Sequence, residues 1–235
     1  MNLDPVRGWL QRALWDVVPR DHRESPAQLR RRQLVTLAFV VIGGAVLGFS
    51  LRIEPGSAWF YPATFGLAVV WAVGAFASGP LHLGREAHPS GHHVRPVVAP
   101  ILIGLGLAGV FVVGALVVRQ IDVLGGFVQS VLAYADEGSV ALLVLVTVIN
   151  GVAEELFFRG AAYAAVTRHP VPVTTVAYAI ATLATGNVML SFAAVLLGVV
   201  VGLQRRASGG ILGPILTHVT WSQTMLFILP AVFGS

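Results

Sequence analysis

The sequence predicts an all-α protein, a polytopic membrane bundle of about seven transmembrane helices preceded by an amphipathic helix lying along the membrane surface. Three observations predict it. Hydrophobic residues make up 56% of the 235 positions and charged residues only 11%, against roughly 25% charged in a soluble domain. Uncharged runs recur at about the twenty residues that cross ~30 Å of hydrocarbon at 1.5 Å per residue. The arginines collect in alternate connectors, the asymmetry that orients membrane proteins.

In chain order, Val6, Trp9, Leu10, Ala13, Leu14 and Val17 recur at helical spacing, with Arg7, Gln11, Arg12 and Asp16 on the other side and Pro19 ending the pattern. Residues 1–32 therefore form a cytoplasmic amphipathic segment suited to the membrane surface, closed by Arg30, Arg31 and Arg32. It lacks an early apolar core with a small-residue cleavage site, so no secretory signal is expected. Residues 33–51 are the first uncharged span. Arg52 and Glu54 turn the chain into a second, residues 57–81, whose Trp59 and Tyr61 suit the interface.

The connector that follows holds His82, His88, His92 and His93 with Arg85, Glu86 and Arg95. Its spacing fits no zinc pattern, and its glycine, proline and serine predict a mobile polar loop. Residues 97–118 form the third span. The connector to residue 138 carries Asp122, Asp136 and Glu137 against Arg119, and its apolar middle suits the interface.

The fourth span, residues 139–167, contains Glu154, Glu155 and Arg159. Residues 170–204 are uncharged; as one helix they would reach ~52 Å, too long for one crossing. A break at Thr185-Gly186-Asn187 divides them into two short spans. After the polar stretch 204–210, residues 211–235 form the last span. The chain thus divides into the N-terminal segment 1–32, an N-terminal transmembrane region 33–138 and a chemically loaded transmembrane region 139–235. Seven arginines precede the first span, two separate the second and third, Arg168 follows the fourth, and Arg205 and Arg206 precede the last. Only Arg52 and Arg119 lie in the opposite connectors, so the N-terminus is expected in the cytoplasm and the C-terminus outside.

Ionisable side chains inside a membrane cost roughly 2.5–3.5 kcal/mol each on insertion scales and pair with one another. Neighbours on a helix point about 100° apart, so Glu154 and Glu155 diverge, whereas Glu155 and Arg159, four apart, can meet. The two carboxylates are thus expected to differ in role, one held by Arg159 and the other free for proton transfer. His218 is the histidine deep in an apolar run, with Ser222 one turn later on the same face. Asn187, at the break, is a third polar candidate; the plain alternative for it is a turn residue, and for His218 and Ser222 a carbonyl partner between helices. Cysteine is absent, so disulfides and thiolate metal sites are excluded.

Glu-Glu-x-x-x-Arg at residues 154–159, a polar residue about thirty positions later and His-x-x-x-Ser at residues 218–222 resemble the CPBP intramembrane proteases, the family of the type II CAAX prenyl proteases and the Abi proteins. The resemblance covers residues 139–225, including Leu196 to Leu203 and Ser208 to His218. The family's second motif, Phe-x-x-x-His, corresponds to Leu183-Ala184-Thr185-Gly186-Asn187, with asparagine in place of histidine. The resemblance implies an intramembrane endopeptidase of a bacterial plasma membrane, with Glu154, Glu155, Arg159, Asn187, His218 and Ser222 as catalytic residues. It implies a peptide, lipidated or membrane-protein substrate, the bilayer as the other partner and no nucleic acid. Asparagine hydrogen-bonds but does not shuttle protons near pH 7. No cofactor is therefore predicted; zinc held by Glu154, Glu155 and His218 is the chemically permissible alternative. Two other classes remain: a catalytically altered member acting as membrane scaffold or binding partner, and a proton-coupled transporter built on the buried carboxylates.

Overall fold

A computed structural model describes residues 4–19, 24–88 and 90–234. The expected N-terminal arginines Arg20 and Arg23, and the last-span residue Ser235, lie outside the described residues. Nine helices follow one another among the described residues: α1 Asp4–Leu14, α2 Pro26–Ser50, α3 Phe60–Ser78, α4 Val98–Val118, α5 Asp122–Asp136, α6 Val140–Ala165, α7 Pro170–Leu183, α8 Val188–Ser208 and α9 Leu212–Phe233. Helices α2, α3, α4, α6, α8 and α9 are long and apolar enough to cross a membrane. The expected break falls where residues 184–187 separate α7 from α8, but α7 has only 14 residues, about 21 Å at 1.5 Å per residue. Pro170 starts it and Gly186, at φ +78°, follows its end, so both limits are set by local backbone chemistry.

Helix α2 begins before the arginine triplet rather than after it. Ser25 accepts from the Gln28 amide while the Gln28 side chain accepts from the Ser25 amide, a capping box that starts the helix at Pro26. Arg32 is thereby buried, and its guanidinium donates to the Glu24 carboxylate, to Ser78 Oγ at 3.2 Å and to the Pro80 carbonyl at 3.3 Å. The start of α2 is thus tied to the end of α3. Further along, a Cβ on Gly43 would come within 2.2 Å of the Trp71 ring, so glycine sets the approach of these two helices.

The histidine connector is not the free loop the composition predicts. A two-stranded hairpin, β1 Glu86–Ala87 paired antiparallel with β2 His93–Val94, projects from it. The connector docks on the α8–α9 turn through backbone bonds from Arg85 to Ser208, Ile211 to His82 and Leu212 to Leu83. Gly84 and Gly210 allow this: a Cβ on Gly210 would lie 2.0 Å from the Gly84 nitrogen. Backbone groups facing backbone groups supply the order that side-chain polarity does not advertise.

Helix α1 turns Ala13 and Leu14 onto Ala99, Ile103 and Leu203, and the Val18 amide donates to the Ala207 carbonyl at 3.0 Å. Val6, Trp15 and Val17 stay exposed, so part of the amphipathic face packs on the bundle and part is left outward. Helix α5 crosses the other end of the molecule, where Tyr134 donates to the Leu51 and Ile53 carbonyls at 3.1 and 2.6 Å. The bundle therefore has two faces. One carries α1, the hairpin, the start of α2 and the α8–α9 turn, with Arg30, Arg31, Arg32, Arg85, Arg95, Arg168, Arg205 and Arg206. The other carries the α2–α3 turn, α5 and the α7–α8 turn, with only Arg52 and Arg119. The core between them joins Leu67, Trp71, Ala153, Phe157, Phe158, Tyr178 and Ala194.

Candidate active site

Helix α6 changes pitch at the charged motif. Val140–Glu155 is α-helical, and Leu156–Ala162 continues as a seven-residue π-helix, a wider turn that is uncommon and often found at functional sites. It keeps Arg159 beneath Glu155. Arg159 Nη1 donates to Glu155 Oε1 at 3.1 Å, and both side chains are 0% exposed. The Arg159 carbonyl accepts from Arg205 Nε at 2.6 Å, so α8 supplies a donor to the widened turn.

His218 reaches the same carboxylate from α9. Its Nδ1 lies 2.9 Å from Glu155 Oε1, which makes that oxygen a common acceptor for α6 and α9. Because carboxylate oxygens accept, Nδ1 carries the proton in this contact and Nε2 is the nitrogen left for other work. Gly151 lies beside the imidazole, at a separation where a Cβ would make ordinary contact, 3.6 Å from His218 Cδ2.

Glu154 points elsewhere, as the 100° turn between neighbours requires. It is only partly buried, and its Oε2 accepts from the Tyr178 hydroxyl of α7 at 2.5 Å. Tyr178 is fixed by Phe158, 4.8 Å away between ring centroids, and by the Arg159 guanidinium, 4.9 Å above its ring. Glu154, Tyr178, His218, Ser222, Asn150 and Trp221 all line one cavity of about 260 Å³, from which Glu155 is absent. Asn150, one turn before Glu154, donates to the Val146 carbonyl at 3.0 Å, and its Oδ1 has no protein partner. Ser222 donates to the Val219 carbonyl at 3.2 Å and keeps its lone pairs.

Five of the six residues singled out in the sequence thus gather around one carboxylate pair, and Asn187 does not join them. Its Oδ1 accepts from the Met189 and Leu190 amides at 3.0 and 3.1 Å, capping α8, while its Nδ2 donates to the Phe127 carbonyl at 2.6 Å and Ser130 Oγ at 3.3 Å. It borders a separate apolar cavity of about 260 Å³ between α4, α5, α8 and α9. The partner that sequence reasoning missed is Tyr178. Its one visible signal was a hydroxyl-bearing ring in the uncharged segment 24 residues after Glu154, and spacing alone does not separate that from a core aromatic.

As a metal site the arrangement does not fit. Among the described residues no group of three or more His, Asp or Glu side chains lies close enough to hold an ion. Glu155 Oε1 and His218 Nδ1 face each other, and Glu154 Oε2 accepts the hydrogen bond that the Tyr178 hydroxyl donates. Catalytic zinc usually takes three protein ligands around one point.

These features define an integral membrane protein, a helical bundle with a buried carboxylate, guanidinium and imidazole cluster whose His218 borders a largely apolar cavity that Glu154 also lines. Residues 136–224 match the family model described as type II CAAX prenyl endopeptidase Rce1-like. No curated protein and no solved structure gives a match. The family match supports, at family level, a CPBP-type intramembrane endopeptidase of the CAAX-protease kind acting on membrane-associated peptides.

Proposed function

We propose that the protein hydrolyses peptide bonds at the membrane with Glu154 as general base and no metal. The observation that carries this is the division between the two carboxylates: Glu154 enters the cavity that His218 also lines, while Glu155 is fully buried beneath Arg159 and His218. Glu154 takes a proton from water as the oxygen attacks the scissile carbonyl. His218, protonated and with its charge met by Glu155, donates from Nε2 to the resulting oxyanion. Collapse of the tetrahedral intermediate breaks the C–N bond, and Glu154 returns its proton to the leaving amine. Tyr178 holds the Glu154 carboxylate in line, Arg159 holds Glu155, and Ser222 offers its hydroxyl beside His218. Asn187 acts as a helix cap in this scheme, so the missing second-motif histidine does not by itself imply lost activity.

In this reading residues 139–235 carry the reaction, and region 33–138 closes the cavity with Ser50 and Thr64. The arginine-rich face lies in the cytoplasm and the C-terminus outside. The substrate is a peptide, a lipidated tail or a membrane-protein segment. Glu154→Gln in the purified protein is expected to abolish cleavage of such a substrate while the fold survives; undiminished cleavage would reject the base assignment.

A further inference from the structure

We infer that water and substrate reach Glu154 from the arginine-poor face, so that the peptide cut is an extracytoplasmic segment. The inference rests on the protease reading above and extends it to the side of entry. Its first support is the depth of the cavity lining. On α2, α3, α6, α7 and α8 the lining residues sit in the half of the helix that points toward α5 and the α7–α8 turn or at mid-helix, while α9 contributes His218, Trp221 and Ser222 from its first half. Ser50 and Leu51 end α2, Thr64 and Leu67 lie in the early turns of α3, Thr147 and Asn150 precede Glu154 on α6, and Thr185 follows the end of α7.

The opposite direction is sealed. Immediately beyond Glu154 come Phe157, Phe158 and Arg159, each 0% exposed, with Trp71 packed 4.7 Å from Phe157 and 5.1 Å from Phe158 between ring centroids. This aromatic floor lies between the carboxylate and the face that carries α1 and the hairpin.

The open direction is supplied with acceptors. Ser50, Thr64, Thr147, Thr182, Thr185 and Ser222 place hydroxyls along the cavity from its arginine-poor end to the level of His218. Ser50, Thr64, Thr182, Thr185 and Ser222 donate to carbonyls of neighbouring turns, so their oxygens remain free to accept. An extended peptide has unpaired amides, which are costly in hydrocarbon, and this row of oxygens suits such a backbone and its accompanying water. Arginine placement then assigns the side: this end of the cavity is nearer the face with Arg52 and Arg119, which the positive-inside rule puts outside. The class of substrate is an extended stretch of a secreted or membrane-anchored polypeptide entering from outside, with apolar side chains.

The cysteine-free chain makes the test direct. Single Thr147→Cys and Thr185→Cys variants, with Gln129→Cys on α5 and His92→Cys on the hairpin connector as side markers, are exposed to a membrane-impermeant maleimide in right-side-out and inside-out vesicles. The expected result is labelling of Thr147→Cys, Thr185→Cys and Gln129→Cys only in right-side-out vesicles, and of His92→Cys only in inside-out ones. Thr147→Cys labelled together with His92→Cys would overturn the route, and Gln129→Cys labelled only in inside-out vesicles would overturn the orientation. Labelling needs no activity, so it reads the route even where Glu154→Gln fails to abolish cleavage. In the active protein, maleimide applied outside to Thr147→Cys is expected to stop cleavage relative to the same unlabelled variant.

Discussion

Substituting the two adjacent glutamates one at a time is expected to separate stability from activity. Glu155→Gln keeps the shape of the side chain and removes its charge, leaving the Arg159 guanidinium, 0% exposed and with Nε and Nη2 already lacking protein partners, without its anion. Removing one member of a buried pair costs about 3–5 kcal/mol. At about 2–4 °C per kcal/mol for chains of 150–250 residues, the melting temperature should fall by about 6–20 °C. Glu154→Gln still accepts the Tyr178 hydroxyl and faces a cavity, so its stability should change by no more than about 1 kcal/mol. Its cleavage rate should drop by about 10²–10⁴, the usual contribution of a general base. Melting in detergent followed by tryptophan fluorescence, beside a peptide-cleavage assay on the same preparations, reads both quantities. The double variant Glu155→Leu/Arg159→Leu should recover much of the lost stability, because apolar replacement of a whole buried pair is often neutral. Wild-type melting in Glu155→Gln, or an equal loss of stability in Glu154→Gln, would refute the division of labour.

Tyr178→Phe deletes one hydrogen bond to a carboxylate, worth about 1.5–3 kcal/mol, and should lower kcat about ten- to hundredfold with KM little changed; an unaltered kcat would remove Tyr178 from the site. Asn187→Ala should cost about 1 kcal/mol through the lost α8 cap and leave cleavage per folded molecule intact, and Asn187→His should confer no activity that the native chain lacks. Activity appearing only with histidine would instead mark a decayed enzyme. Elemental analysis of the purified protein should find no stoichiometric zinc, and proteolysis should survive chelators; one zinc per chain, with activity lost on chelation and restored by zinc, would return Glu154, Glu155 and His218 to the role of ligands.

Much of this architecture was legible because the bilayer reads composition. Uncharged length fixed the spans, and the Thr185-Gly186-Asn187 break was required by excess length. The Glu155–Arg159 pair followed from four-residue spacing, and the convergence of His218 followed from the cost of isolated charge. What escaped notice depends on contacts without a sequence period. The start of α2 at Pro26 is set by a reciprocal cap, Ser25 with Gln28, which takes the arginine triplet into the helix and buries Arg32 while Arg30 and Arg31 stay exposed. The docked histidine connector is held by backbone amides and two facing glycines, which look the same as loop residues in the sequence. The π-helix at Leu156–Ala162 leaves no pattern, because its residues from Phe157 to Ala162 are all buried and show no polar face. Tyr178 became distinguishable from an ordinary core aromatic only when α7 was placed beside α6.

The sharing of Glu155 Oε1 between two helices also has a temporal side. Arg159 lies four residues after Glu155, whereas His218 lies 63 residues after it. At about 5–20 residues per second, a ribosome delivers the imidazole about 3–13 s after the carboxylate. Through that interval Arg159 is the counter-ion that lets α6 enter the bilayer, and the second donor arrives only with the final helix. The acid–imidazole contact thus forms only when α9 docks, together with its bonds to Gln204, Pro100 and Val144, so the proposed site and the finished bundle come into being in the same event.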